Sequence, residues 1–301
     1  MNLSIVVPVL NQFELFEKTI SQIILNTETF VEIIVIDNGS DDILFNYWKE
    51  KKLVGREYVK FVRNEENIGN YPIFRQGLGL SNNEIIAFFH SDLFIYEKGW
   101  DRKIIEVFKK NSKLGLIGFI GSNEIDGFGG RGLGTMSNFQ GRQVGSWKGS
   151  PAEVHGKRIN DLRKAAVVDG CSMIFRRKCL EEIDFRPEYG LHHFYDRLMS
   201  CQVRERGWEI GVLGIECDHI SGQTCNTQQK YFDSVRDWFK KNFNIDKPED
   251  WVNIRKDWFN NPQNPSYQKI PHQWDNCMYF ETEYQFLTEW RDQKKFIPRK
   301  V

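Results

Sequence analysis

Neither a cysteine framework nor an excess of charge marks this chain. Its six cysteines in 301 residues (Cys171, Cys179, Cys201, Cys217, Cys225 and Cys277) form no Cys-x-x-Cys pair and no metal-finger spacing, which argues against a disulfide-stapled scaffold and a structural zinc site. Lys plus Arg equals Asp plus Glu, 41 of each, so no global field advertises nucleic acid or an anionic membrane. Apolar runs fall short of the ~20 residues that span a bilayer, and the amino terminus enters a strand pattern without a charged leader. The composition therefore reads as a cytoplasmic protein with reduced thiols, peripheral at most to a membrane, that recognises its partner locally. It sets no oligomeric state.

What is present is a core-forming chain, 40% hydrophobic, enough for one large domain or a domain with an appendage. Strand and helix patterns alternate through the first 120 residues. Strands are expected at Leu3 to Val7, Glu32 to Ile36, Tyr58 to Val62, Ile85 to Phe89 and Leu116 to Ile120. Helices are expected at Phe13 to Leu25, from near Ser40, at Tyr71 to Leu80 and at Trp100 to Lys110. Strands this rich in Ile, Val and Phe are covered on both faces, which predicts an α/β fold with a mostly parallel sheet flanked by helices. Ligands of such sheets bind outside the carboxyl ends of the strands. Asn11, Asp37, Asn67 and Asp92 each follow a predicted strand, so they converge on one rim.

From Gly121 to Gly149 the periodicity fails and glycine dominates, a length that suits a substrate-covering lid carrying Arg131, Arg142, Trp147 and Lys148. Patterning resumes with strands at Ala165 to Asp169, Cys171 to Phe175 and Glu209 to Leu213, and helices at Arg177 to Ile183 and Phe194 to Arg206. Beyond Gln228 the chain is aromatic, helical in pattern and interrupted by Pro262, Pro265 and Pro271. The expected division is residues 1–227 as the main domain, with 1–120 and 121–227 as its halves, and 228–301 as a helical appendage.

Several residues admit both a chemical and a structural role. Asp37, at a strand end, can accept a uracil imide N–H or a ribose hydroxyl; with Ser40 it can equally cap the next helix. Arg75 offers a planar fork for phosphate or carboxylate, or a solvated surface charge. Asp169 and Gly170 suit a tight turn between two short strands. Trp147 can stack on a pyranose or anchor a loop. Asp196 opens a helix, where the dipole favours an acid.

Taken in order, Ser-Ile-Val-Val-Pro-Val-Leu-Asn (4 to 11), Ile-Ile-Val-Ile-Asp-Asn-Gly-Ser-Asp-Asp (33 to 42), Asn67-Ile-Gly-Asn70 with Arg75, His90-Ser-Asp92, Val168-Asp-Gly-Cys-Ser-Met-Ile-Phe-Arg-Arg177, Phe194-Tyr-Asp196 and Cys217-Asp-His219 resemble the inverting family 2 glycosyltransferases of GT-A fold. The resemblance covers roughly residues 3 to 220. It implies a donor pocket for a nucleotide sugar, expected to be UDP-linked, lined by Pro8, Asn11, Asp37, Asn67, Gly69, Arg75, His90, Ser91 and Asp92. An acceptor glycan, lipid or protein would meet Trp147, Asp169, Gly170, His193 and Tyr195. A divalent cation at the diphosphate would be held by Asp92 and His219, and an imidazole ligand favours Mn²⁺ over Mg²⁺. Asp196 matches the family's general base.

Two residues depart from the pattern. His90 stands where the family's Asp-x-Asp begins, and its imidazole can meet a phosphate oxygen, the sugar or a metal softer than magnesium, or be a satisfied histidine at the core rim. Tyr195 replaces the usual Glu before the base. These departures motivate a non-catalytic sugar- or nucleotide-binding module as an alternative. A sugar nucleotidyltransferase would need a Gly-rich phosphate loop with Arg and Lys after the first strand, and Pro8 to Glu14 offers none.

Overall fold

A computed structural model describes residues 1–42, 46, 59–123, 134–140, 157–185 and 195–220. The expected helix after Ser40, Trp147, Arg131, Arg142, Lys148, His192, His193 and the appendage 228–301 lie outside these residues.

The chain opens with β1 (Leu3–Val9), α1 (Phe13–Asn26), β2 (Val31–Asn38), β3 (Val59–Asn64), α2 (Asn70–Leu80) and β4 (Ile85–Phe89). There follow β5 (Leu93–Ile95), α3 (Trp100–Lys110), β6 (Leu114–Gly118), β7 (Ile120–Ser122), β8 (Thr135–Ser137), β9 (Lys157–Arg158), β10 (Leu162–Ala165) and β11 (Val167–Val168). The last described elements are β12 (Ser172–Arg176), α4 (Arg177–Glu181), α5 (Tyr195–Glu205), β13 (Glu209–Leu213) and β14 (Cys217–His219).

An eight-stranded sheet runs β10-β13-β6-β12-β4-β1-β2-β3. From β4 to β3 every pairing is parallel, as the strand-helix alternation predicts. Beyond β4 the sheet is mixed, because β12 runs antiparallel to both β4 and β6 while β13 is parallel to β6. Reversal of β12 has a functional consequence: its amino end lies beside the carboxyl end of β4, with Ser172 opposite Phe89.

Both faces of the sheet are covered. Along β1, Leu3, Ile5, Val7 and Val9 pack in one apolar cluster with Phe16, Ile20 and Trp100, whereas Val6 faces the other with Ile34, Phe74 and Phe88. Burial on both sides explains why the strands read as continuous apolar runs. Helix α1 presents Phe13, Phe16, Ile20 and Ile23 to the core at helical spacing. In α3, Trp100, Ile104, Ile105 and Phe108 do the same, and Lys109 and Lys110 close the helix where its dipole favours cations. Trp100 is fully buried against Phe89 and Phe119. Trp100→Ala is expected to lower unfolding free energy by about 3–5 kcal/mol, read from a urea denaturation midpoint; an unshifted midpoint would show that the site collapses around the loss.

Two expected strands are each split between sheets. The Leu116 to Ile120 pattern is divided into β6 and β7, and the Ala165 to Asp169 pattern into the end of β10 and β11. At Phe119 the backbone N–H leaves the ladder to donate to Ser172 Oγ at 2.9 Å, and Ala166 N donates to Ser122 O at 2.8 Å. The chain steps at these points into a second sheet of order β11-β7-β8-β9. Part of the glycine-rich stretch expected to be loop therefore carries β8.

Candidate active site

The parallel strands deliver their carboxyl ends to one rim, and the rim is braced before any ligand is considered. Asn11 adopts a positive φ of 56°, one of the few residue types that tolerates it. Its N–H donates to Ser40 Oγ at 3.0 Å, and its Oδ1 accepts from Asp41 N at 2.8 Å, clamping the ends of β1 and β2 together. Pro8 is half-buried one residue before Val9, which pairs with Asp37.

Asp37 is fully buried. Its Oδ1 accepts Ser40 N–H at 3.1 Å, closing the turn after β2. Its Oδ2 has no hydrogen-bond donor and lies 3.5 Å from Arg63 Nε. Arg63 sits opposite Asp37 in the β2–β3 register; the strand-end reading missed it because it considered only residues after the strands. Asn67 Oδ1 is occupied by Asn38 Nδ2 at 2.8 Å and Gly69 N at 3.0 Å, and Gly69 turns the chain into α2 at φ 82°, where glycine avoids strain. Arg75 is exposed on α2.

The triplet following β4 is drawn together by three separate segments. Ser91 is buried, with its carbonyl accepting Thr19 Oγ1 at 2.8 Å. His90 N donates to Cys171 O at 3.0 Å, tying the strand end to the turn before β12. Strand β14 pairs antiparallel with β5, setting His219 opposite Leu93. His219 Nε2 thereby stands 3.1 Å from Asp92 Oδ1 and 3.2 Å from His90 Nδ1, with His90 Nδ1 3.9 Å from the same carboxylate oxygen. His90, Asp92 and His219 can offer ligand atoms that all lie within 4.8 Å of one another.

Electrostatics favour that group as a metal site. Burial raises the Asp92 carboxyl, but His219 and His90 beside it outweigh burial and hold it below the usual carboxylate value, so it presents a charge. Burial, aided by the neighbouring His219, pushes His90 below the usual imidazole value against the pull of Asp92, Asp169 and Asp196. Neutral imidazole is the metal-binding form. A second group, Asp169, Cys171 and His219, shares the same histidine. Its thiol is held well above its ordinary value by burial and then by Asp169, and a protonated thiol is a poor ligand. The mixed nitrogen and oxygen set of the first group suits a borderline divalent cation.

Next to this cluster lies the expected base. Asp196 is buried in the first turn of α5. Its Oδ2 accepts Gly170 N–H at 3.0 Å and meets the Arg197 guanidinium, while Oδ1 accepts Arg197 N at 2.9 Å. Burial opposes charge on Arg197, yet Asp196 raises the guanidinium above its ordinary value. Asp169 closes the turn, its Oδ1 accepting Cys171 N at 2.9 Å. Tyr195 turns back from α5, and its hydroxyl lies 2.6 Å from His90 Nε2. Burial, and after it Asp196, keeps that phenol well above its ordinary value and hence protonated. A methyl group at Gly170 would collide with the phenol oxygen, so glycine here serves packing.

Asp92, His219, His90, Tyr195, Asp169, Gly170 and Asp196 form one linked group; Pro8, Asn11 and Asp37 lie at the ends of β1 and β2, Asn67 and Gly69 precede α2, Arg75 is exposed on α2, and Trp147 and His193 lie outside the described residues. Arg63, Cys171 and Arg197 were not foreseen. For Arg197 the signal was available in its adjacency to Asp196.

The mixed sheet covered on both faces has the GT-A fold shared with solved glycosyltransferases. A mannosyltransferase from Pyrobaculum calidifontis in complex with GDP-Man and Mn²⁺ superposes with a TM-score of 0.55 at 11% identity, covering 99% of this chain and 81% of that one. GalNAc-T7 with UDP, GalNAc and Mn²⁺ superposes at 0.58 and 12% identity, covering 99% of this chain and 58% of that one. An uncharacterized glycosyltransferase of Haemophilus influenzae is 29% identical over 115 residues, which span 38% of this chain and 35% of that protein's length. The family model for glycosyl transferase family 2 matches residues 4–184. The chain belongs to that family.

Proposed function

We propose that the chain is a metal-dependent inverting glycosyltransferase that moves a sugar from a nucleotide donor, UDP-linked, to a hydroxyl of a glycan, lipid or protein, in the manner of polysaccharide assembly. The observation that carries this reading is the convergence of His90, Asp92 and His219 beside Asp196 at the carboxyl rim of a family 2 fold. Residues 1–120 would hold the donor, 121–227 the lid and acceptor, and 228–301 would pack as an appendage. The mannosyltransferase and GalNAc-T7 structures described above were captured with Mn²⁺, and the donor set here suits Mn²⁺ over Mg²⁺. Among the described residues no helix is long and apolar enough to cross a membrane, and the described cysteines are free and buried, in keeping with a reducing compartment.

In this reading Asp37 Oδ2 accepts the uracil imide or a ribose hydroxyl after the partly exposed Arg63 side chain moves aside. Asp92 and His219 hold the cation, which supplies charge neutralisation for the diphosphate leaving group. Asp196 accepts the proton of the acceptor hydroxyl as its oxygen attacks the anomeric carbon from the face opposite the diphosphate. One C–O bond forms, the bond to phosphate breaks, and a single carboxylate suffices. Asp37→Asn keeps an oxygen for Ser40 but places an amide against the imide. UDP binding with Mn²⁺, measured by calorimetry, should weaken by about 10- to 150-fold, the loss of one hydrogen bond to a charged group; undiminished UDP affinity would remove Asp37 from the base contact.

The second reading, a binding module without catalysis, is favoured by the full engagement of Asp196 by Gly170 and Arg197. Incubation with UDP-, GDP-, dTDP- and CMP-sugars, with and without Mn²⁺, separates the two: the transferase slowly hydrolyses its donor, whereas thermal stabilisation without hydrolysis or transfer would establish the module.

A further inference from the structure

His90 and Tyr195, the two residues that depart from the family pattern, are 105 positions apart and touch. We propose that His90 ligates the cation through Nδ1 as a third protein ligand beside Asp92 and His219, and that the Tyr195 phenol orients its ring for that purpose. The inference rests on the metal-dependent reading above and deepens it.

Its first support is the triangle of donor atoms. Ligands about 2.1 Å from a common ion stand about 3.0 Å apart when they subtend a right angle. His219 Nε2 lies 3.2 Å from His90 Nδ1 and 3.1 Å from Asp92 Oδ1, and the third side of 3.9 Å is the wide one. In the tautomer that ligation through Nδ1 requires, hydrogen bonding alone serves these atoms poorly. A neutral imidazole nitrogen carries either a hydrogen or a lone pair. If His90 Nε2–H donates to the phenol oxygen, Nδ1 keeps its lone pair, leaving at most the one hydrogen of His219 Nε2 between two acceptors. A cation satisfies all three lone pairs at once.

The second support is the way the ring is held. Metal-ligating histidines engage their far nitrogen with a partner that fixes tautomer and orientation, and here that partner is the phenol at 2.6 Å. The phenol is itself confined. Gly170 leaves it room that no side chain would, and the Tyr195 ring packs against Phe74 and Tyr71 at 5.7 and 6.5 Å between centroids. The His90 backbone is pinned through Cys171 O, while 37% of its side-chain surface stays open on the rim. Tyr195 is thus a positioning residue, acting through His90.

Mn²⁺ bound to the full chain tests this without any turnover assay, by continuous-wave paramagnetic resonance for affinity and pulsed resonance for nitrogen couplings. The parent protein should show two directly bound imidazole nitrogens. His90→Asn should show one and lose at least the ~10–100-fold in affinity typical of an outer-ligand defect. Tyr195→Phe, which keeps the packed ring, should retain both nitrogens yet bind Mn²⁺ ~10–100-fold more weakly. Two nitrogens persisting in His90→Asn would overturn the ligation and return His90 to a phosphate or sugar contact, and parental affinity in Tyr195→Phe would overturn the positioning role. Failure of the parent protein to bind Mn²⁺ would instead overturn the metal-dependent reading on which both rest.

Discussion

Asp196→Asn is expected to lower sugar transfer by at least ~10²–10⁴-fold, the usual contribution of a general base, while nucleotide affinity stays near that of the parent and the melting temperature falls because the buried Arg197 guanidinium loses its counter-charge. Asparagine preserves the shape and an oxygen for the Gly170 N–H but cannot take a proton from an acceptor hydroxyl. The expected pattern is therefore a fall in kcat with little change in donor binding. This outcome is not guaranteed by the fold, because the carboxylate already serves Gly170 and Arg197. Were Asp196 only a bracket between α5 and the turn before β12, the melting temperature would fall by the same loss of the Arg197 ion pair while turnover persisted in the folded fraction. Transfer kinetics beside a thermal melt distinguish these cases, and unchanged turnover would sink the assignment of Asp196 as base.

Asp92→Asn should have an effect of comparable size by another route. The carboxylate supplies the only negative charge in the His90, Asp92 and His219 group, and its amide replacement can still accept from a ring nitrogen, so the local packing survives. Mn²⁺ affinity should fall by at least the ~10–100-fold that an outer-ligand defect costs, and transfer should fall with it at limiting metal. Chelation of the parent protein should reproduce the loss, and added Mn²⁺ should restore activity to the parent but only poorly to the variant. Full metal-independent transfer by the chelated parent protein would end the metal hypothesis and leave the triplet as a donor contact without a cation.

How much of this was legible in the sequence differs from element to element. Ile85–Phe89, Trp100–Lys110 and Glu209–Leu213 match the expected boundaries, because each is a strongly patterned segment whose burial is set by its own side chains. The short strands β5, β8, β9 and β14 were not legible. Two or three residues carry no periodicity, and β14 exists because β5 offers it an edge. The splitting of β6 from β7 and of β10 from β11 escaped for a related reason: an apolar run reports burial but not which of two sheets buries it. At the site, the motif series singled out Asp92, His219 and Asp196 individually as candidates. The partners that define their chemistry, Tyr195 on His90, Arg197 on Asp196 and Arg63 on Asp37, depend on packing between segments.

By itself the sequence determined the α/β class, the rim on which the polar residues gather and the family to which the chain belongs, since alternating apolar periods and an ordered motif series are properties of the linear chain. Only the tertiary structure decided that the sheet turns mixed beyond β4, and that β12 runs back so that Cys171 meets His90 and Gly170 meets Asp196. Only it decided that β14 carries His219 to within 3.1 Å of Asp92. The physical reason is range: burial and propensity act over a few residues, whereas a hydrogen bond or a shared cation is specified by the meeting of groups more than 100 positions apart, which no local pattern encodes.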